Sequence, residues 1–278
     1  MLRKRYGFNG VITTDATIMA GFTMAMERRS ALPAAIMAGC DMLVFNTDFE
    51  EDFLYLAEGL RNGLLTKGRL DEAVERILAL KACVCFGGGA VSEVPSKAWH
   101  RECADRAITL VKNTDPEILP ITPERYPDIR LALLGKDNIL DGSVGEIAKK
   151  YLEEKGFHVE IYAPFEDDLH GTSGLSASRL TLYLANYETA SNQTTVRAKW
   201  CDKHALDTPR YINEEKSVFV SLANPYLLQD VPRIKTYVNA YTATYETITQ
   251  TIDKLMGLSQ FKGVSPVDAF CGLPDARL

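Results

Sequence analysis

Along nearly all of this chain, short apolar runs rich in β-branched residues alternate with segments whose apolar positions recur every three or four residues. The short runs suit strands buried on both faces, and the longer period is that of a helix with one apolar stripe. Strands separated by helices need crossover connections, which commits the sheet to a parallel or mostly parallel arrangement with helices on its faces. The expected fold class is therefore α/β.

The first run, Val11-Ile12-Thr13-Thr14, is bounded by Gly10 and ends on Asp15. A buried parallel strand delivers a reactive group at its C-terminal tip, so Asp15 is the first candidate for chemistry. The same position also suits an Asp that only caps a following helix. Ala31, Ala34, Ala35, Ile36 and Ala38 precede Gly39 as a helix stopped by glycine, and Cys40–Phe45 reads as a second buried strand. Phe53, Ala57, Leu60 and Leu64 then share one helical face, and Leu70, Val74, Ile77 and Leu78 share another. Asp71 and Glu72 stand in that last helix's first turn.

Gly87-Gly88-Gly89 follows a helix with no strand before it, so it reads as a linker rather than a phosphate loop and places a domain boundary near residue 90. Beyond it, Trp99, Cys103, Ala107, Leu110 and Val111 predict a helix with Ser96 as N-cap. Ile129–Leu134 predicts a strand, Val144, Ile147, Ala148, Tyr151 and Leu152 a helix ending at Gly156, and Phe157–Tyr162 an alternating strand. Leu180–Ala185, Val218–Ala223 and Tyr237–Tyr241 read as further strands before a closing helix that carries Tyr245, Ile248, Ile252, Leu255 and Met256. Gly135–Gly142 follows the first strand of this part, where doubly wound folds bind ligands, yet it contains neither dinucleotide nor P-loop spacing.

Composition narrows the function. With 278 residues, 46% hydrophobic and 24% charged, the chain is an ordinary globular one. A net charge of -6, with no basic cluster larger than Arg3-Lys4-Arg5, argues against nucleic acid or an anionic membrane as partner. No apolar stretch reaches the length of a membrane span and no leader pattern follows the basic start, so the expected location is cytoplasmic. Cys40, Cys83, Cys85, Cys103, Cys201 and Cys271 lack zinc-site spacing, as do His100, His158, His170 and His204, and neither a metal nor a cofactor is expected.

Tyr6–Ala16, Ala34–Leu43 and Gly68–Leu78 resemble the latter part of the catalytic barrel of glycoside hydrolase family 3, most closely its bacterial β-N-acetylhexosaminidase branch. Ala107–Asn113, Val218–Tyr226 and Lys235–Tyr241 resemble the α/β sandwich that follows the barrel in that family. The resemblance implies about two strands of a (β/α)8 TIM barrel over residues 1–90 and the sandwich domain over 91–278. It assigns Asp15 as the nucleophile of a retaining exo-glycosidase acting on terminal β-N-acetylhexosaminides, a carbohydrate substrate. Met19 and Arg28, on the loop that follows, become candidate substrate contacts, the alternative for both being a structural role.

The family's proton donor is an Asp-His pair on an earlier barrel loop, and this sequence holds no counterpart of it. The resemblance thus implies a C-terminal fragment, inactive by itself, that carries a nucleophile without its acid. Val11, Ile12, Leu43 and Phe45 are expected to need cover, from the missing barrel half or from a homo-oligomer. The alternative from another class is a non-catalytic interaction or oligomerisation module derived from the same family.

Overall fold

The computed structural model describes residues 1–84, 96–162, 179–190, 193, 195–200, 209–213 and 216–278. The triglycine linker, Cys85, Cys201, His170 and His204 lie outside the described residues. The chain divides into two compact units, Met1–Ser92 with Ala190–Gln193, and the remainder.

The first unit holds helices α1 (Leu2–Tyr6), α2 (Ala20–Thr23), α3 (Arg28–Met37), α4 (Phe49–Arg61) and α5 (Lys67–Ala82). Its two expected strands are extended segments joined in parallel by a single bridge, Thr13 to Met42. The Met42 amide donates to the Ile12 carbonyl at 3.2 Å and the Thr14 amide to the Met42 carbonyl at 3.1 Å. Beyond that point a side chain replaces the backbone ladder: the Thr14 hydroxyl accepts from the Val44 amide at 2.9 Å and donates to the Val44 carbonyl at 3.0 Å. The expectation of full strands is corrected accordingly, because a pair of segments with no further strand neighbour among the described residues has little to hold a regular ladder.

Helix α4 starts at Asp48, whose side chain accepts from the Glu51 amide, and α5 starts at Thr66, whose side chain accepts from the Arg69 amide. The stripes predicted for these helices are not what they bury. In α4 the buried positions are Asp52 and Gly59, while Phe53 is 62% exposed and Leu64, beyond the helix end, is also exposed. In α5 Ala73 is buried, Leu70 and Ile77 are half-buried, and Val74 and Leu78 face solvent. Periodicity reports that a face is apolar, and among the described residues much of that face has no partner. Gly59 is required by close packing, since a Cβ there would lie 2.6 Å from Pro33 Cγ.

The second unit is built on β1 (Thr109–Asn113), β2 (Asp128–Gly135), β5 (His158–Tyr162), β6 (Arg179–Asn186), β7 (Ser217–Ser221) and β8 (Thr236–Asn239), with a small hairpin β3 (Asn138–Ile139) and β4 (Gly142–Ser143). These strands form a six-stranded sheet in the order β1-β8-β7-β6-β2-β5, all parallel except β1 against β8. The α/β class with a mostly parallel sheet is thus realised here. Helices α6 (Ser96–Ala107), α7 (Val144–Glu154) and α8 (Tyr245–Leu255) accompany it. The predicted helix through Leu110 and Val111 is corrected, because the chain leaves helix at Ala107 and these residues enter β1. The Thr109 hydroxyl turns back to the Ala107 carbonyl at 2.8 Å, the local competition by which threonine ends helices. Ser96 is the first helical residue rather than a cap, and Trp99 and Cys103 are exposed.

Alternation along the central strands fills both faces of the sheet. Ile129, Leu131, Leu180, Leu182, Val218 and Val220 pack with Ala148, Leu152, Ile248 and Ile252. On the other face Ala132, Leu134, Tyr183, Phe219 and Tyr237 meet Trp200, Tyr211, Leu227 and Leu228. Each large side chain buried in this way stabilises the unit by about 1.5–3 kcal/mol. No helix among the described residues is long and apolar enough to cross a membrane.

Candidate active site

The segment that carries Asp15 is fixed at both ends. At its start the Ile12 amide donates to Asp41 Oδ2 at 2.9 Å, and the same buried carboxylate is met by Arg3, by Arg69 at 2.8 Å and by Arg76 at 3.7 Å. Burial alone would push the Asp41 carboxyl up, but the Ile12 amide and the Arg69 and Arg3 guanidinium groups outweigh it and hold it below the usual carboxylate range.

Past the tip, Arg28 fastens the chain a second time. Its Nε and one terminal nitrogen meet Asp52 Oδ1 and Oδ2 at 2.7 and 2.5 Å, and the guanidinium also donates to the Thr17 carbonyl at 2.8 Å and the Thr17 hydroxyl at 3.1 Å. Asp52 is only 2% exposed and also accepts from Asn46 Nδ2 at 3.3 Å. Thr17 is buried, and its hydroxyl donates to the Phe45 carbonyl. Met19 acts on the same stretch, its Sδ accepting from the Ala16 amide at 3.3 Å.

Between these two fastenings Asp15 itself is exposed, and among the described residues no hydrogen bond reaches its carboxylate. It is not a helix cap: α2 begins at Ala20 after Met19, and no side chain caps it. The geometry therefore presents a bare carboxylate on a loop whose backbone is held by its neighbours. Such an acceptor-only oxygen pair can take a proton, accept hydrogen bonds or attack an electrophilic carbon.

Of the three residues singled out from the sequence, Met19 and Arg28 both clasp the backbone just after Asp15. Thr17, Asn46 and Asp52 went unrecognised. Asp52 had a legible signal, because it shares the buried side of α4 with Gly59, seven residues on, where an acid needs a partner. Among the described residues no group of three or more His, Cys, Asp or Glu could hold a metal ion, and Cys40, Cys83, Cys103 and Cys271 are free.

Residues 1–80 match the glycosyl hydrolase family 3 N terminal domain. That stretch carries the likeness to glycoside hydrolase family 3. The chain is 39% identical, over 297 aligned positions, to a β-N-acetylglucosaminidase/β-glucosidase of Cellulomonas fimi, an alignment that takes in 100% of this chain and 52% of that protein. It is 42% identical to a solved structure of the β-glucoside phosphorylase BglX, with a TM-score of 0.80 over 99% of this chain and 52% of the other. A family 3 β-N-acetylglucosaminidase from Paenibacillus sp. str. FPU-7 shares the fold at 20% identity, with a TM-score of 0.63, over 95% of this chain and 52% of that one. The chain thus spans about half the length of the relatives it matches.

Proposed function

We propose that this chain is the C-terminal portion of a retaining exo-glycosidase that releases terminal β-N-acetylhexosamine, with Asp15 as its nucleophile. What supports the reading most is that an exposed carboxylate, free of hydrogen bonds among the described residues, ends the first extended segment inside the stretch matched to the family. In this chemistry the ionised carboxylate bonds to the anomeric carbon as the glycosidic C–O bond breaks. A second group protonates the departing oxygen, and water then displaces the sugar from the resulting ester.

On this reading residues 1–90 are the end of a (β/α)8 barrel, about two strands of it, and residues 91–278 the sandwich domain. Arg28 sets the loop while Met19 reaches substrate. The proton donor belongs to residues outside this sequence, in keeping with relatives about twice as long. The exposed Phe45, Phe53 and Leu78 favour cover by that remaining barrel half or by a second copy of the chain. An alternative fate of the glycosyl ester is favoured by the 42% identical structure, which is named as a phosphorylase: inorganic phosphate rather than water would take the sugar.

A 2-deoxy-2-fluoro-β-glycosyl fluoride tests the nucleophile, because fluoride departs without a proton donor. Intact-mass and peptide spectra should show one added fluorosugar on the peptide containing Asp15, and none in Asp15→Asn. Label on another residue, label that survives the substitution, or no label at all would remove Asp15 from the role. Ordinary turnover of an aryl β-N-acetylglucosaminide by the chain alone would sink the missing-donor reading, since loss of a proton donor costs orders of magnitude.

A further inference from the structure

The parallel strands β2, β5, β6, β7 and β8, in chain order, lie across the sheet as second, first, third, fourth and fifth. The chain leaves β2 toward one side and returns as β6 on the other, so the carboxyl ends of β2 and β6 part at a topological switch point. Open α/β sheets hold ligands in the crevice at such a point. A cavity of about 800 Å³ lies there, lined by Lys136 after β2, Asn186 and Glu188 at the end of β6, Lys97 and His100 of α6, and Glu246 of α8.

Its chemistry excludes the anion that doubly wound folds commonly place at a helix start. The N-terminus of α7 is filled from within: Asp137 accepts from the Gly145 amide at 2.8 Å and from the Ser143 hydroxyl at 2.6 Å. The start of α8 is served likewise by Asp141, which accepts from the Tyr245 amide at 3.0 Å, and by Thr244, which accepts from the Thr247 amide at 3.2 Å. What the cavity offers instead is cationic donors beside carboxylate acceptors. Lys136 and Glu188 touch at 3.4 Å as an exposed pair, and such pairs are held weakly enough to turn toward a ligand.

Asn186 adds an unmet group. It is 2% exposed, its Nδ2 donates to the Lys136 carbonyl at 2.9 Å, and its buried Oδ1 has no partner among the described residues. A buried acceptor without a donor is costly, and because Asn186 lines the cavity, a turn of its amide toward a ligand hydroxyl would supply the missing hydrogen. Groups that both donate and accept, on a ligand without net charge, fit this mixture best. We propose that the switch-point cavity of the second unit binds a neutral saccharide.

The full chain, labelled with 15N, tests this by titration with glucose and N-acetylglucosamine, and with inorganic phosphate and AMP as competitors of other chemistry. Saturable amide shifts are expected at Lys136, Asn186 and Glu246 with a sugar. Lys136→Ala and Glu246→Gln should each weaken binding about tenfold through loss of one charge-assisted hydrogen bond, with unchanged unfolding transitions. Asp15→Asn should leave the titration as it was. Absence of saturable shifts at these amides with either sugar, shifts with phosphate or AMP in their place, or loss of binding in Asp15→Asn would overturn the proposal. If Asp15 fails its own labelling test while these shifts persist, only the nucleophile reading falls.

Discussion

Replacing Arg28 asks how firmly the loop after Asp15 is held. In Arg28→Ala the Asp52 carboxylate, 2% exposed, keeps only the 3.3 Å contact from Asn46, and the Thr17 carbonyl and hydroxyl lose their donors. Stranding one member of a buried pair costs about 3–5 kcal/mol. Arg28→Lys retains the charge but cannot reproduce the two-pronged contact at 2.7 and 2.5 Å, so at least one charge-assisted bond of about 1.5–3 kcal/mol disappears. Arg28→Met with Asp52→Leu removes both charges together and should recover most of the loss, because an apolar pair of similar volume is often as stable as a buried ion pair. Denaturant unfolding, followed by hydrogen exchange at the first unit's amides, gives the three values in one experiment. The expected order of stability is wild type and double variant highest, lysine intermediate, alanine lowest. A cost below about 1 kcal/mol for Arg28→Ala would mean that the contact is an ordinary surface pair, and an equal cost in single and double variants would show that the two residues do not act together.

Asp41 should govern part of the acid limb of stability. Its folded carboxyl sits below the unfolded value of about 3.9, so the contribution is present above that value and lost as pH falls through the lower folded one; Asp41→Asn should flatten a thermal-melting profile below about pH 4. Lys112 is buried with one hydrogen bond, at 3.0 Å to the Pro232 carbonyl, and burial depresses its ammonium. Its folded form resists the proton, a penalty present below the unfolded value of about 10.4 and removed as pH rises through it, so Lys112→Met should raise the melting temperature at pH 7 and lose that advantage above about pH 10. Gly135 has φ of 84° and a Cβ there would stand 2.4 Å from the Asn186 carbonyl, so Gly135→Ala should destabilise the second unit by about 2 kcal/mol or more in urea titration.

The second unit was legible because its strands are fully buried and its helices strongly amphipathic. Ile129–Leu134, Leu180–Ala185 and the stripes of α7 and α8 report their own environment, and the structure places them where the pattern does. Leu110 and Val111 misled because a helical period continues through them, while pairing with β8 is a long-range fact that no local window contains. In the first unit, Asp15 stood out as the polar end of an apolar run. Its supports did not, since the links from Arg28 to Asp52 and from Thr14 to Val44 span 24 and 30 residues and carry no local spacing rule. The apolar stripes on α4 and α5 were legible as shared helical faces, and the structure leaves Phe53, Leu64, Val74 and Leu78 on them exposed.

The Asp41 carboxylate also sets a timetable for the nascent chain. It gathers groups from positions 3, 12, 69 and 76, so its full set of partners exists only when α5 has been made. At about 5–20 residues per second the stretch from Asp41 to Arg76 takes on the order of a few seconds to make, during which the carboxylate has Arg3 without its α5 partners. A chain halted before residue 69 would therefore hold a buried carboxylate with Arg3 on it but without Arg69 and Arg76.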